Sequence, residues 1–311
     1  MKAAVVTGYG GPEAIRLVSP PDPLPGAGEL LVRVHAASLN PLDLKLRSGA
    51  LRRAMPLRFP AILGFDFAGV VEGVGLGTAG WSTGDPVYGR VDARRGGMHA
   101  ERAVVPASVV DRIPNGLSFE GAASLPLAAL TALQAIDLIG PRAGDRILVC
   151  GVAGGVGSVA AQLGRTSGAD VIGAFRGRPA ELGLRLGIRG VGLVEGDALR
   201  GEGPFDGVVD TVFGAPTALV RSLLASEGRY VTTGFAPGLL LQQCRRLWSR
   251  QRFRFVRSSP SGSLMRRLSA LVASGQVRPV VDTVFDLADV QAAHARLDRG
   301  GVVGKVVLAM R

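Results

Sequence analysis

Four glycines fall within the seven residues 151–157, Gly-Val-Ala-Gly-Gly-Val-Gly. The apolar run Arg146-Ile-Leu-Val-Cys150 comes just before them, and a helical pattern, Val156–Thr166, just after. A strand, a glycine turn and a helix start in that order suit a pyrophosphate. Glycine lets backbone N–H groups approach the anion, and the helix N-terminus adds free N–H groups and partial positive charge. Gly154 and Gly157 take the second and third positions of G-x-G-x-x-G, but Val152 stands at the first, so the strict pattern fails there. Gly154, Gly155, Val156 and Gly157 are therefore candidate cofactor contacts, with a bare tight turn as the competing reading.

The next strand in such a unit, Asp170-Val-Ile-Gly-Ala-Phe175, is where an NAD site places an Asp or Glu for the ribose hydroxyls. Here Arg176-Gly-Arg178 follows instead, and two guanidinium groups suit bidentate binding of a 2′-phosphate. NADPH (NADP+) is expected over NADH; the alternative is a pair of ordinary surface arginines. Thr211-Val212 and Gly234-Phe235 end later strands of the same pattern, at the carboxyl edge where open α/β sheets bind ligands. Lys305, in Gly-Lys-Val-Val-Leu, is a candidate for the cofactor phosphates, a strand-edge lysine being the other reading.

The elements that must hold these residues change character along the chain. Up to about residue 118, short apolar runs (Ala3–Val6, Leu30–Ala36, Gly69–Val74, Ala103–Val105) alternate with Gly/Pro turns and read as β-rich. From Gly144, strand and helix patterns alternate: Arg146–Cys150, Val156–Thr166, Asp170–Phe175, Ala180–Leu186, Gly207–Val212, Pro216–Ala225, Arg229–Thr233. That alternation predicts βαβ units on a parallel sheet. Further on come a helix over Ser263–Ala273, a strand near Val280–Val284, a helix from Phe285 to Leu297 and a final strand over Gly304–Ala309. The chain of 311 residues, 47% hydrophobic, is large enough for two domains.

Composition removes several functions. Two cysteines, Cys150 and Cys244, exclude a disulfide framework and a zinc site built on a run of thiolates. No apolar run reaches a membrane span, and the opening segment reads as a strand, so a cytoplasmic protein is the default. The net charge of +11 invites a nucleic-acid reading, and arginine does cluster from Arg245 to Arg257 among Trp248, Phe253 and Phe255. No nucleic-acid-binding motif surrounds that cluster, so nucleic acid is not the expected partner. His35, His99 and His294 are scattered singletons, read as structural rather than as ligands.

Over its whole length the sequence resembles the zinc-independent branch of the medium-chain dehydrogenase/reductase (MDR) superfamily, the quinone oxidoreductase and enone reductase group. The segments that carry the resemblance, in order, start with Ser38-Leu-Asn-Pro-Leu-Asp-Leu-Lys-Leu-Arg-Ser-Gly49, Leu63-Gly-Phe-Asp-Phe-Ala-Gly-Val-Val-Glu-Gly-Val-Gly75 and Gly84-Asp-Pro-Val-Tyr-Gly89. Gly96-Gly-Met-His-Ala-Glu101, Leu125-Pro-Leu-Ala-Ala-Leu-Thr-Ala132, the glycine loop, Val209-Asp-Thr-Val212, Gly228–Gly234 and Gly304–Leu308 complete the set. The resemblance implies an α/β protein: a GroES-like β-rich catalytic domain over residues 1–118 and 262–311, and a Rossmann doubly wound parallel-sheet NADP-binding domain over 119–261. It also implies a homodimer.

Zinc-dependent relatives carry a Gly-His-Glu segment where this chain has Gly64-Phe65-Asp66, and a phenyl cannot ligate a metal. Catalysis without a metal is therefore expected, on acceptors already electrophilic: quinones or α,β-unsaturated carbonyl compounds. By similarity, Asn40 and Thr131 serve the nicotinamide and the acceptor oxygen, Asn40-Pro41 as a plain turn being the alternative. Lys45 and Tyr88 are candidate proton donors, and bound water ranks equal to both. Two other functions fit the same scaffold: a tailoring enzyme of specialised metabolism, by enoyl reduction or non-redox rearrangement, and an NADPH-bound regulatory or RNA-binding protein without turnover.

Overall fold

The computed structural model describes residues 1–175, 183, 186–192, 199, 201–212, 217–233, 251–256 and 258–311. The chain forms two compact units: Met1–Leu127 with Ser259–Gly275 and Pro279–Arg311, and Ala128–Ser258 with Gln276–Arg278. The first unit thus runs past the expected boundary at residue 118. The reason is a short helix at Phe119–Ala123, which packs on the β-rich sheet and stacks Phe119 on the His35 ring at 4.3 Å.

The first unit holds β1 (Ala3–Val6), β2 (Ile15–Val18), β3 (Glu29–Ser38), β4 (Ala61–Ile62), β5 (Asp66–Val74), β6 (Pro86–Arg90), β7 (Arg102–Pro106) and β8 (Val110–Arg112). The second holds β9 (Arg146–Cys150), β10 (Asp170–Phe175), β11 (Arg189–Gly192), β12 (Phe205–Asp210), β13 (Leu224–Thr232) and β14 (Arg252–Phe255). The chain then returns to the first with β15 (Val281–Asp286) and β16 (Lys305–Ala309).

In the first unit the main sheet runs β15-β16-β3-β5-β6-β8, with β7 also on β3, and β2-β1-β4 form a smaller sheet. Alternation along β3 buries Leu30, Val32, Val34 and Ala36, the period-2 pattern of a strand packed on a core. Register then places the chemistry. Ser38 lies opposite Asp66 on β5 and opposite Val307 on β16, so the end of β3, the start of β5 and Lys305 share one end of the sheet. The chain turns there into α1 (Pro41–Arg47), with Asn40 as N-cap and Pro41 at a position where its missing N–H costs nothing.

The helix expected from Phe285 begins later. Phe285 and Asp286 complete β15, paired in parallel with Leu308 and Ala309, a 3-10 turn occupies Leu287–Asp289, and the α-helix runs Val290–Asp298. Ladder hydrogen bonds to β16 outweigh the helical periodicity at those two residues.

In the second unit the six-stranded sheet runs β11-β10-β9-β12-β13-β14, with every pair parallel. Counted along the unit this is the 3-2-1-4-5-6 order of a doubly wound dinucleotide fold, whose order reverses between β9 and β12. Leu148, Ile172, Phe205, Val208 and Phe253 build its core, and Cys150 is buried among them as a small apolar side chain.

Candidate active site

The glycine loop lies at the reversal point, between β9 and α4 (Gly155–Thr166). Gly154 is the N-cap, and no side chain caps the first N–H groups of α4, so these donors suit an external anion. Gly151 takes the left-handed turn, φ +77, one residue before Val152. Val152 fits because β10 carries Gly173 beneath it: a Cβ at Gly173 would stand 2.7 Å from Val152 Cγ1. The departure from G-x-G-x-x-G is thus a one-residue shift of the turn glycine with compensation on the next strand. Thr211 and Val212 follow β12 and press on the same turn. A Cβ at Gly151 would meet Val212 Cγ2 at 2.4 Å and Thr211 Oγ1 at 2.5 Å, and the Thr211 hydroxyl donates to Cys150 O at 2.8 Å.

The cradle therefore fits a dinucleotide phosphate in its donors and in its lack of side chains. Arg176, Arg178, Gly234 and Phe235 lie outside the described residues, as do Cys244 and residues 245–250 and 257 of the arginine cluster. Of that cluster, Arg252–Phe255 form β14, whose Phe253 is buried in the core. Thr131 is buried on α3 (Pro126–Ile139).

The first unit gathers a second set. At the start of α1, Asp43 accepts from the Asn40 backbone N–H at 2.8 Å and from Gly64 N–H at 2.9 Å, and the Asn40 amide has further partners. Its Nδ2 donates to Asp66 Oδ2 at 3.0 Å, and its Oδ1 accepts from Lys305 Nζ. Lys305 also donates to Leu39 O at 2.7 Å and lies 3.7 Å from Asp66. Burial pulls the Lys305 pKa down, against the upward effect of Asp66 and Asp43. A buried ammonium is tolerated only with partners of this kind.

Lys305 departs from the edge reading: β16 lies inside the sheet between β15 and β3, and the ammonium is turned to Asn40 and Asp66. Tyr88 is fully buried, its hydroxyl 2.9 Å from Ser269 Oγ, and burial drives its pKa up. A phenol sealed in this way cannot reach a substrate. Tyr88→Phe should leave turnover within about twofold and cost ~1 kcal/mol of stability. A turnover loss beyond tenfold in the folded variant would restore Tyr88 as a donor. Lys45 sits half-buried on α1.

Phe65 is 1% exposed and packs with Leu39, Leu46, Leu63 and Val306. The position that a ligating imidazole would take is core. Two of the three histidines are not isolated. His99 and His294 meet edge to face at 5.8 Å, and His99 lies over Gly64, where a Cβ would come within 2.4 Å of its ring. Burial holds both imidazoles neutral, His99 down to about 4, while burial pushes Asp43 up to about 7.

These shifts set a sign. Below the ordinary histidine value near pH 6.5, unfolded His99 and His294 take up protons that the native rings refuse, so the stability present above that pH is lost as pH falls. Asp43 acts oppositely, binding its proton first in the native state. His35, lowered by burial in the same way, adds to the loss, and Asp210, raised by burial, joins Asp43 against it; the three histidines leave a net loss of stability as pH falls from about 6.5 to about 5. Urea midpoints read across that window should fall with pH and flatten in His294→Leu; a flat wild-type profile would refute the assignment.

The comparisons agree with this architecture. The "Alcohol dehydrogenase GroES-like domain" model matches residues 26–115 and the "Zinc-binding dehydrogenase" model residues 193–308. The mitochondrial NAD(P)H oxidoreductase of Homo sapiens is 31% identical, over 99% of this chain and 89% of its own. A chloroplastic quinone-oxidoreductase of Triphysaria versicolor is 30% identical, over 99% of this chain and 98% of its own. The solved quinone oxidoreductase of Coxiella burnetii superposes with a TM-score of 0.91 at 31% identity, covering 100% of this chain and 99% of that one. With the parallel sheet, its glycine cradle and the GroES-like unit in place, the chain belongs to the medium-chain dehydrogenase/reductase superfamily, with quinone oxidoreductases among its relatives, and is an oxidoreductase using a nicotinamide cofactor.

Proposed function

We propose that this chain is an NADPH-dependent reductase that passes hydride to a quinone or an α,β-unsaturated carbonyl compound without a metal. The observation that carries the reading is the uncapped start of α4 on a glycine turn at the reversal point of the sheet. That feature supplies backbone donors and positive potential where a pyrophosphate needs them. The acceptor class is supported by the relatives, which include quinone oxidoreductases and the 2-methylene-furan-3-one reductase of Solanum lycopersicum, 33% identical over 99% of this chain and 79% of its own.

When bound, the reduced nicotinamide supplies a hydride. The N–H groups of Gly154, Gly155, Val156 and Gly157 hold the pyrophosphate, Thr211-Val212 and Gly234-Phe235 flank the cofactor, and Arg176 and Arg178 take its 2′-phosphate. Asn40 donates an N–H to the oxygen on which charge develops, with Thr131 as a further orienting hydroxyl. Proton delivery falls to Lys45 or a water, since Tyr88 is sealed away.

No described helix is long and apolar enough to cross a membrane. A small-molecule substrate, a cytoplasmic setting and a homodimer complete the proposal. The test is a titration with NADPH and NADH, then addition of 1,4-benzoquinone, 9,10-phenanthrenequinone and a simple enone while the nicotinamide absorbance is followed. Selective NADPH binding followed by oxidation is expected. Tight binding without turnover on any acceptor would overturn the chemistry and leave the cradle; no binding would overturn both.

A further inference from the structure

The Asn40 amide is gripped from both ends by groups of opposite hydrogen-bonding character. A lysine ammonium has only donors, and an ionised carboxylate has only acceptors. Lys305 Nζ faces Oδ1, and Asp66 Oδ2 faces Nδ2 at 3.0 Å. Turning the amide over would set its NH2 against the ammonium and its carbonyl against the carboxylate, leaving buried polar groups with clashing partners. An asparagine in solution presents either end; this one is locked. Its Nδ2 carries two hydrogens, and among the described residues only Asp66 accepts one.

We propose that Lys305 and Asp66 are positioning residues that fix Asn40 as a hydrogen-bond donor, never an acceptor, toward an oxygen of the bound substrate. The proposal rests on the reading of Asn40 as a residue serving the reaction, and it narrows the recognised group to one that accepts a hydrogen bond. The ammonium acts through the amide as well as orienting it. Drawing electron density toward Oδ1 polarises the C–N bond and strengthens the outer N–H as a donor, as chained hydrogen bonds do. The clamp is assembled by topology, from the residue that caps α1 just after β3, the first residue of β5 and the first of β16.

Lys305→Met removes one jaw. Asp66 keeps Ser38 Oγ at 3.0 Å, Asn40 Nδ2 and Leu127 N–H at 2.8 Å, so its carboxylate remains satisfied and the fold should persist. Three readouts test the clamp. In isotope-labelled protein the Asn40 side-chain NH2 pair, assigned by its loss in Asn40→Asp, should exchange with solvent at least tenfold faster in Lys305→Met. The kcat for quinone should fall about tenfold with NADPH affinity unchanged, and Lys305→Arg, which remains donor-only, should restore most of it.

Asn40→Asp keeps the volume and presents only acceptors, so kcat should fall at least tenfold. This second variant is informative even if Lys305→Met fails to fold. Unchanged amide exchange in folded Lys305→Met, or wild-type kcat in Asn40→Asp, would overturn the proposal. A wild-type protein that oxidises no NADPH but has a clamped amide would instead remove the reductase reading, so the two failures are distinguishable.

Discussion

Gly157→Val is expected to abolish binding of both nicotinamide dinucleotides, with affinity falling more than about 100-fold, because α4 can no longer rest on its own loop. A Cβ at Gly157 would stand 2.2 Å from Gly151 O and 2.8 Å from Val152 Cα, and both are backbone atoms with no rotamer to escape into. Gly151 cannot yield either, held in its left-handed turn against Val212 and Thr211. The valine must therefore lever the helix start away from the turn, misaligning the N–H groups that define the cradle. Gly154→Ala separates binding from folding. Its Cβ would meet only Gly151 O at 3.5 Å, an ordinary contact. That variant should fold normally yet bind NADPH about tenfold more weakly, since the methyl stands where the anion approaches. Isothermal titration against both nucleotides, with circular dichroism as the folding control, decides the matter. A folded Gly157→Val with wild-type affinity would remove the cradle assignment.

The cradle was largely legible in the sequence, because a strand, a glycine turn and a helix are local events. The register of the glycines was less so: only the packing of Val152 over Gly173 explains why the turn glycine sits one residue early. The start of α1 also carried a local signal, an Asn-Pro-x-Asp spacing in which Asp43 reaches back to the Asn40 N–H, yet it reads equally well as a turn. What the sequence could not disclose is the company Asn40 keeps. Asp66 and Lys305 are far apart along the chain, and they meet because β16 returns beside β3 after the whole second unit. The His99–His294 pair has the same origin. Such contacts depend on strand register, which one-dimensional patterns leave open.

Arg176→Ala with Arg178→Ala should weaken NADPH binding about 100-fold or more while changing NADH affinity less than about threefold. The 2′-phosphate is the only chemical difference between the two cofactors, and it carries nearly two negative charges near neutral pH. Each charge-assisted hydrogen bond to it contributes about 1.5–3 kcal/mol, so losing two guanidinium partners removes at least two such bonds. NADH offers a bare ribose hydroxyl there and has nothing comparable to lose. The sequence supports the assignment through position: β10 ends at Phe175, and the residue that follows is where an acidic side chain would bind the ribose of NAD. Arg176→Asp is therefore the sharper variant. On the proposed assignment it exchanges a partner of the 2′-phosphate for a carboxylate that repels it and accepts from the NADH ribose hydroxyl, so preference should invert rather than merely vanish. Salt offers a further check, since NADPH affinity should decline with ionic strength in the wild type and much less in the double variant. Equal loss of both nucleotides in the double variant would mean that these arginines hold the fold or the shared pyrophosphate, and that the preference for NADPH must be sought elsewhere.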